Sequence, residues 1–388
     1  MILEILYTTG FAFILICGLA YVVLAIFLNR GVFLLRPVKK NIQEKPPITF
    51  ISVVVPARNE ENFIARCLED LVNQDYPKRL FEIIVADDNS ADDTAAVVKS
   101  FIRSHPGISI RLTHPDPSVK GAHKKRALET AIGIARGDLI ITTDADCRMG
   151  NHFLLSVAAC FDTQHPRMIL GPVTFFEGKS AFSQMQTLEF LSLIASGAAM
   201  AQLGKPIMAN GANLAFTREA FYEAGGYAEH SNFASGDDVF LLHNFRRKFG
   251  DAGITFLYDR EALVRTYPQP SLKGFLNQRI RWASKAKGYR DRTALVISVI
   301  VLLFCLSLIA GLITACFLWP FALLAAGLWL IKCTVDLPLL MRITDFTRQR
   351  RLLKYYFLLQ LIYPFYIVLV ALVGLSGRYE WKGRRSLH

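Results

Sequence analysis

Two pairs of carboxylates, set far apart in the chain, are the residues best suited to do chemistry: Asp144 and Asp146 around one alanine, and the adjacent Asp237 and Asp238. Asp144-Ala145-Asp146 closes an apolar run, Leu139 to Thr143, that reads as a strand. Alternate residues of a strand project to one side, so both carboxylates can converge on one cation. Mg2+ or Mn2+ takes one or two carboxylates together with phosphate oxygens and water, which suits a metal-diphosphate site. The plainer alternative is an Asx-type turn with solvated acids. Ser235-Gly236-Asp237-Asp238 precedes Val239 to Leu242, a helix start. An acid there serves as an N-cap, or as a general base that takes the proton from an acceptor hydroxyl as it attacks an anomeric carbon. A single base suffices if a metal handles the leaving diphosphate.

Two further elements carry polar groups in unusual company. Asp87-Asp88-Asn89-Ser90 follows a second apolar run. It reads as a strand end with Ser90 or Asp92 capping the helix that starts near Asp93, and a carboxylate there is also an acceptor for the imide N–H of a uracil ring. Gln278-Arg279-Ile280-Arg281-Trp282 joins two guanidinium groups and an indole just before an apolar segment. Adjacent residues of a helix face different ways, so an arginine meets a phosphate while the tryptophan presents a flat face for a sugar ring. The alternative is an interfacial stretch whose basic side chains, with Lys273, Lys285, Lys287 and Arg290, reach toward lipid headgroups.

The elements that must position these groups follow from the apolar pattern. Phe50 to Val55 is a β-branched run stopped by Pro56, Glu61 to Asn73 is amphipathic, Phe81 to Ala86 is a second strand, Asp93 to Arg103 is helical and Leu139 to Thr143 is a third strand. Strands alternating with helices predict an α/β domain with a parallel, Rossmann-like sheet covered on both faces. Ligands of such sheets bind at the carboxyl ends of the strands, where the acids fall. Neither G-x-G-x-x-G nor G-x-x-x-x-G-K-[ST] occurs, so a phosphate-bearing ligand is held by other means.

Around this domain the chain turns apolar. Of 388 residues 52% are hydrophobic and 20% charged, with a net charge of +12, and mean hydropathy is +0.32. Disorder is excluded, and basicity in so apolar a chain points to a membrane surface and to no nucleic acid polymer. Phe11 to Leu28 is long enough to span a bilayer, and Glu4 in place of a basic leader favours an uncleaved anchor. Arg30, Arg36, Lys39 and Lys40 follow it, which places the next residues in the cytosol. Ala294 to Trp319, Phe321 to Val335 and Tyr355 to Leu375 are three further apolar segments, hinged at Trp319-Pro320 and broken by the basic stretch Arg342 to Lys354. Three crossings would put the tail Arg378, Lys382, Arg384 and Arg385 outside, against the charge rule, unless one segment is re-entrant or interfacial. The expected organisation is an anchor over 1–30, a cytosolic domain over 48–290, a transmembrane region over 291–376 and a basic tail over 377–388. Cys17, Cys305, Cys316 and Cys333 lie in apolar runs and read as small buried hydrophobes.

Taken in order, Val53-Val54-Val55-Pro56-Ala57-Arg58-Asn59-Glu60, Asp87-Asp88-Asn89-Ser90, Asp144-Ala145-Asp146, Gly236-Asp237-Asp238 and Gln278-x-x-Arg281-Trp282 resemble the membrane-embedded branch of glycosyltransferase family two. That branch includes cellulose, hyaluronan and poly-N-acetylglucosamine synthases and ceramide glucosyltransferase-like enzymes. The resemblance implies a GT-A fold, an inverting mechanism, a UDP-sugar donor and Mn2+ or Mg2+. It implies that Pro56, Glu60, Asp88, Lys124, Asp144 and Arg281 bind the donor, Asp146 with Asp144 the metal, and Gln278, Trp282 and Asp237 the acceptor, with Asp238 as the catalytic base. Asn210-Gly211-Ala212-Asn213 matches an acceptor-side loop loosely. Few helices follow the catalytic domain, which favours transfer of one or a few sugars to a lipid or glycan acceptor over a processive polysaccharide synthase. A non-catalytic membrane scaffold is the competing class, and a sugar-phosphate nucleotidyltransferase leaves the Gln-x-x-Arg-Trp element unexplained.

Overall fold

The computed structural model describes residues 2–37, 47–116, 118, 123–227, 236–284, 291–375, 379–381 and 384–386. Lys39, Lys40, Ser235, Lys285, Lys287, Arg290, Arg378 and Lys382 lie outside them. In chain order the elements are α1 (Ile2–Leu34), β1 (Ile51–Ala57), α2 (Ile64–Val72), β2 (Phe81–Asp87), α3 (Thr94–Ser104), β3 (Ser109–Thr113), α4 (His123–Ile134) and β4 (Leu139–Thr142). There follow α5 (Phe153–Gln164), β5 (Met168–Leu170), β6 (Val173–Phe175), α6 (Ala181–Gln202), β7 (Leu214–Thr217), α7 (Arg218–Glu223), α8 (Asp237–Phe249), β8 (Ile254–Phe256) and β9 (Val264–Thr266). The last are α9 (Leu272–Ser284), α10 (Arg292–Ala315), α11 (Trp319–Phe346), α12 (Tyr356–Leu375), β10 (Tyr379–Trp381) and β11 (Arg384–Ser386).

These elements form two compact units: residues 35–176 with 200–268, and residues 1–34, 177–199 and 269–388. The first is built on a seven-stranded sheet in the order β3-β2-β1-β4-β7-β5-β8. β1, β2, β3 and β4 are parallel, as the sequence predicts, but β7 runs antiparallel to both β4 and β5. Thr142 at the end of β4 pairs with Leu214 at the start of β7. The segment before β7, residues 210–213, therefore enters the sheet where β4 stops and the Asp-x-Asp begins.

Pro56 does not stop β1, which runs on to Ala57. Val54 faces β4 with its carbonyl, accepting from Thr143 N at 3.2 Å, and Ala57 faces β2, accepting from Asp88 N at 2.8 Å. By that alternation the missing N–H of Pro56 points to the side where β4, paired only as far as Val54, has already ended. At the other end of the sheet the buried Glu82 takes hydrogen bonds from Ser52 Oγ, the Arg136 N–H and the Arg111 guanidinium, each at 2.7 Å. A buried carboxylate so supplied is stable as an ion. Ala127, Leu128, Ala131, Phe216, Phe221 and Phe245 pack with the strands into a continuous core.

Among its described residues the second unit contains four helices long and apolar enough to cross a membrane, spanning Tyr7–Leu34, Arg292–Ala315, Trp319–Phe346 and Arg350–Gly374. Three of them follow the sheet domain, and the break between the first two falls at residues 316–318, just before Trp319 and Pro320, which begin α11. α1 packs with α10 and α11 through Ile14, Tyr21, Ala25, Phe304, Leu308, Phe321 and Leu328. Pro364 inside α12 leaves the carbonyl of Gln360 without its helical donor, and the Trp329 indole N–H of α11 supplies one at 3.2 Å. Cys17, Cys305 and Cys333 are buried as expected, whereas Cys316 is exposed, because it sits at the end of α10 in the turn to α11.

Candidate active site

The acids collect at the carboxyl end of the sheet because each follows or precedes an element that ends there. β4 delivers Asp144 and Asp146, and Gly236, at φ 91° in the left-handed region glycine tolerates, starts α8 with Asp237 and Asp238 in its first turn. Between them stands Lys124 from α4. Its Nζ is 2.8 Å from Asp144 Oδ1 and 3.4 Å from Asp237 Oδ2. Burial works against that ammonium, but Asp144, Asp237 and Asp238 outweigh it and hold the lysine well above its ordinary pKa. Lys124 is thus a fixed cation joining two motifs more than ninety residues apart in the sequence.

The loop at 210–213 completes this side. Gly211 N donates to Asp238 Oδ2 at 3.2 Å, and Thr142 Oγ1 donates to the Gly211 carbonyl at 3.0 Å. A β-carbon on Gly211 would stand 3.3 Å from Asp237 Oδ2 and 3.7 Å from Lys124 Nζ. A side chain there would press on Asp237, and the hydrogen bond to Asp238 shows that the loosely matching Asn-Gly-Ala-Asn element does reach the acids.

Asp146 is held from the far side. The main chains of Arg148 and Arg265 exchange two hydrogen bonds of 2.8 Å, which brings Thr266 of β9 alongside, and its hydroxyl donates to Asp146 Oδ2 at 3.2 Å. Ligand atoms of Asp144, Asp146 and Cys147 all lie within 4.8 Å of one another. The two carboxylates suit a hard divalent ion. Cys147 does not: burial, first of all, with the Asp146 and Asp144 charges, pushes its thiol pKa well up, and it donates weakly to Asp146 Oδ1 at 3.8 Å. The residues present therefore fit Mg2+ or Mn2+ held by oxygen. Thr266, 120 residues from Asp146, carries no local signal in the sequence.

Pro56 is the next-to-last residue of β1, and Glu60 and Asp88 lie in two interlocked loops that follow β1 and β2. Arg58 Nη1 donates to the Asp88 carbonyl at 2.5 Å, Asn59 N to Ser90 Oγ at 3.0 Å, Ala91 N to Asn59 Oδ1 at 2.9 Å and Glu60 N to Thr94 Oγ1 at 2.8 Å. Asn59 and Asn89 both take left-handed backbone, at φ 52° and 54°, which asparagine adopts more readily than most residues. Asp92, not Ser90, meets the start of α3, accepting from Thr94 N at 3.1 Å, while Ser90 caps back onto Asp87. Asp88 is buried at this junction with Arg58 3.7 Å away.

Gln278, Arg281 and Trp282 belong to the other unit, on α9. One face of the Trp282 indole is taken by the guanidinium of Arg279, 4.3 Å from the ring centre, three residues earlier and so on the same side of the helix.

A mixed, parallel-dominated sheet with acids gathered at the carboxyl end of its strands is a GT-A-like fold. Among solved structures, the mannosyltransferase PcManGT from Pyrobaculum calidifontis, in complex with GDP-Man and Mn2+, shares this fold with a TM-score of 0.57 at 19% identity, over 92% of this chain and 99% of that one. The chain belongs to Glycosyl transferase family 21, whose profile matches residues 10–386. The family is thus family 21 where the motifs resemble the membrane branch of family two. It is similar to an N-acetylglucosaminyltransferase of Rhizobium meliloti (strain 1021), 26% identical over 75% of this chain and 72% of the relative. A probable glycosyltransferase, YdaM, of Bacillus subtilis (strain 168) is 28% identical over 63% of this chain. A beta-monoglucosyldiacylglycerol synthase of Trichormus variabilis is 28% identical over 34% of it. The chain spans 56% of the length of YdaM and 28% of that of the synthase.

Proposed function

We propose that this glycosyltransferase moves a hexose or N-acetylhexosamine, with inversion, from a UDP-sugar to a hydroxyl of a membrane lipid or membrane-associated glycan at the cytosolic face. The observation that carries the reading is the bridge of Lys124 to Asp144 and Asp237, which joins the donor-side and acceptor-side acids in one place. In this reading Pro56, Glu60 and Asp88 line the nucleotide pocket, with Asp88 accepting the uracil imide N–H, and Lys124 and Arg281 face the diphosphate. Asp146 and Asp144 would hold Mn2+ or Mg2+, which neutralises charge on the leaving diphosphate. Asp237 orients the acceptor with Gln278 and Trp282, and Asp238 takes the proton of its hydroxyl. The Gly211 and Val239 N–H groups donate to Asp238 Oδ2 and Oδ1 at 3.2 and 2.8 Å, which fixes the orientation of the carboxylate.

The four apolar helices and the relatives named for lipid glycosylation support a bilayer-borne acceptor. The test is to incubate membranes containing the protein with a panel of radiolabelled UDP-sugars and separate lipid-extractable product from polymer. Transfer into the lipid fraction that stops on chelation of divalent ions is expected. Metal-dependent nucleotide binding without transfer to any acceptor would favour the scaffold.

A further inference from the structure

The Gln278-Arg279-Ile280-Arg281-Trp282 element has two arginines, and the proposed function uses only Arg281. Arg279 has the more constrained surroundings. It is 3% exposed and pairs with Glu189 of α6, itself 2% exposed. Arg279 Nε lies 3.2 and 3.1 Å from the two Glu189 oxygens, and Nη2 donates to Oε2 as well. The other branch, Nη1, donates to Gln278 Oε1 at 2.5 Å. Tyr366 of α12 donates its hydroxyl to Glu189 Oε1 at 2.7 Å. The guanidinium faces the rings of Phe275 and Trp282, 4.6 and 4.3 Å from their centres, and Phe190, beside Glu189, meets Trp282 at 6.0 Å.

Each of the three guanidinium nitrogens therefore has a partner. The fork facing Glu189 is bidentate, the remaining branch holds an amide, and the flat face carries an indole. A planar guanidinium does all three at once, and a lysine ammonium does not. A buried pair of this kind is weak grounds for stability, since apolar residues of similar volume often serve as well. What it does supply is orientation, because the two side chains at its outer edge, Gln278 and Trp282, are those assigned to the acceptor.

We propose that Arg279 is a positioning residue for acceptor recognition: clamped by Glu189 and Tyr366, it holds the Trp282 indole and the Gln278 amide in the orientation that meets the acceptor. The proposal rests on the reading of Gln278 and Trp282 as acceptor contacts. Tyr366 lies in a candidate membrane span, Arg350–Gly374, so the clamp on Arg279 is anchored in that helix.

The experiment compares the full-length protein with Arg279→Lys, Tyr366→Phe and the pair Glu189→Gln/Arg279→Met, each checked for thermal stability in detergent. Arg279→Lys is expected to raise the acceptor KM roughly ten- to a hundredfold, the scale set by displacing a positioned group by about an ångström or less. The donor KM and the slow hydrolysis of donor by water are expected to stay near wild type. Trp282→Ala is expected to cost less in the Arg279→Lys background than in wild type. Tyr366→Phe, which removes one hydroxyl, is expected to move acceptor KM in the same direction by less. An unchanged acceptor KM in Arg279→Lys, or losses that follow thermal stability equally for donor and acceptor, would overturn the positioning role. Absence of sugar transfer by the wild type itself would instead strike the function on which the role depends.

Discussion

Two lysines of this protein sit among carboxylates, and their surroundings differ in kind. Lys332 is buried between α1, α11 and α12, 2.6 Å from Asp336, whose two oxygens each accept from the Tyr21 hydroxyl at 2.9 Å. The lysine also donates to Gln360 Oε1, and the rings of Tyr21 and Tyr363 lie 5.5 and 4.6 Å from its Nζ. One cation meets one anion, and neutral groups fill in the rest. Lys124 is a quarter exposed and stands among three carboxylates, Asp144, Asp237 and Asp238. A closed one-to-one cluster in an apolar setting joins helices. An open cluster in which several acids share one lysine at the carboxyl end of a sheet is arranged to receive a charged ligand.

The comparison is broken most easily at Asp238. Asp238→Asn keeps the shape and an acceptor for one of the two backbone N–H groups, of Gly211 and Val239, but cannot take a proton. It is expected to lower the transfer rate by about 10²–10⁴, with UDP and Mn2+ binding by titration calorimetry close to wild type. Turnover comparable to wild type would remove the base and leave the open cluster without its main chemical role.

At the closed cluster the expected loss is of stability. Lys332→Met strands Asp336 and is expected to cost about 3–5 kcal/mol, whereas Lys332→Met with Asp336→Leu is expected to cost much less. Unfolding in detergent followed by circular dichroism distinguishes them. If the double variant instead kept its fold and lost transfer, the closed cluster would have a role beyond joining helices.

Next in size is Thr266→Val, which removes the hydroxyl that directs Asp146. Loss of such a partner is expected to weaken Mn2+ binding about ten- to a hundredfold, measured by calorimetry without substrate, with Thr266→Ser restoring most of it. An unchanged affinity would show that Asp146 needs no orienting partner.

The sequence made the two clusters unequally legible. Asp144, Asp146 and Asp238 announce themselves because they border apolar runs of strand or helix period, and strand ends are where α/β sheets bind ligands. What joins them was not legible. Lys124 stands out in the sequence only through the resemblance, as a donor-binding residue, and its bridge to Asp237 depends on how α4 and α8 meet at the sheet. The antiparallel course of β7 was equally hidden, since four residues, Leu214 to Thr217, carry no sign of strand direction, yet that course brings Gly211 to Asp238. Pro56 misled for the opposite reason. Its lack of an N–H ends a strand only where a neighbour needs that donor, and here β4 has already stopped. In the helices, Lys332, Asp336 and Gln360 lie within or beside apolar runs, but their meeting with Tyr21 spans more than three hundred residues and leaves no spacing to read.

The smallest expected effect is a silence. The Asp144, Asp237 and Asp238 charges hold the Lys124 ammonium against its burial, so its pKa in the folded protein lies above that of the unfolded chain, about 10.4. A group raised in this way contributes its stability in full below the unfolded value and loses it only as pH climbs through the folded one. Between about pH 6 and 9, Lys124 should therefore add no inflection to donor binding or to thermal stability, and Lys124→Met should shift both by an amount that does not vary with pH. An inflection below pH 9 that vanished in Lys124→Met would mean the lysine titrates where enzymes work, as it would if the acids did not surround it. The open cluster would then resemble a proton relay more than a fixed cation bridging donor and acceptor sides.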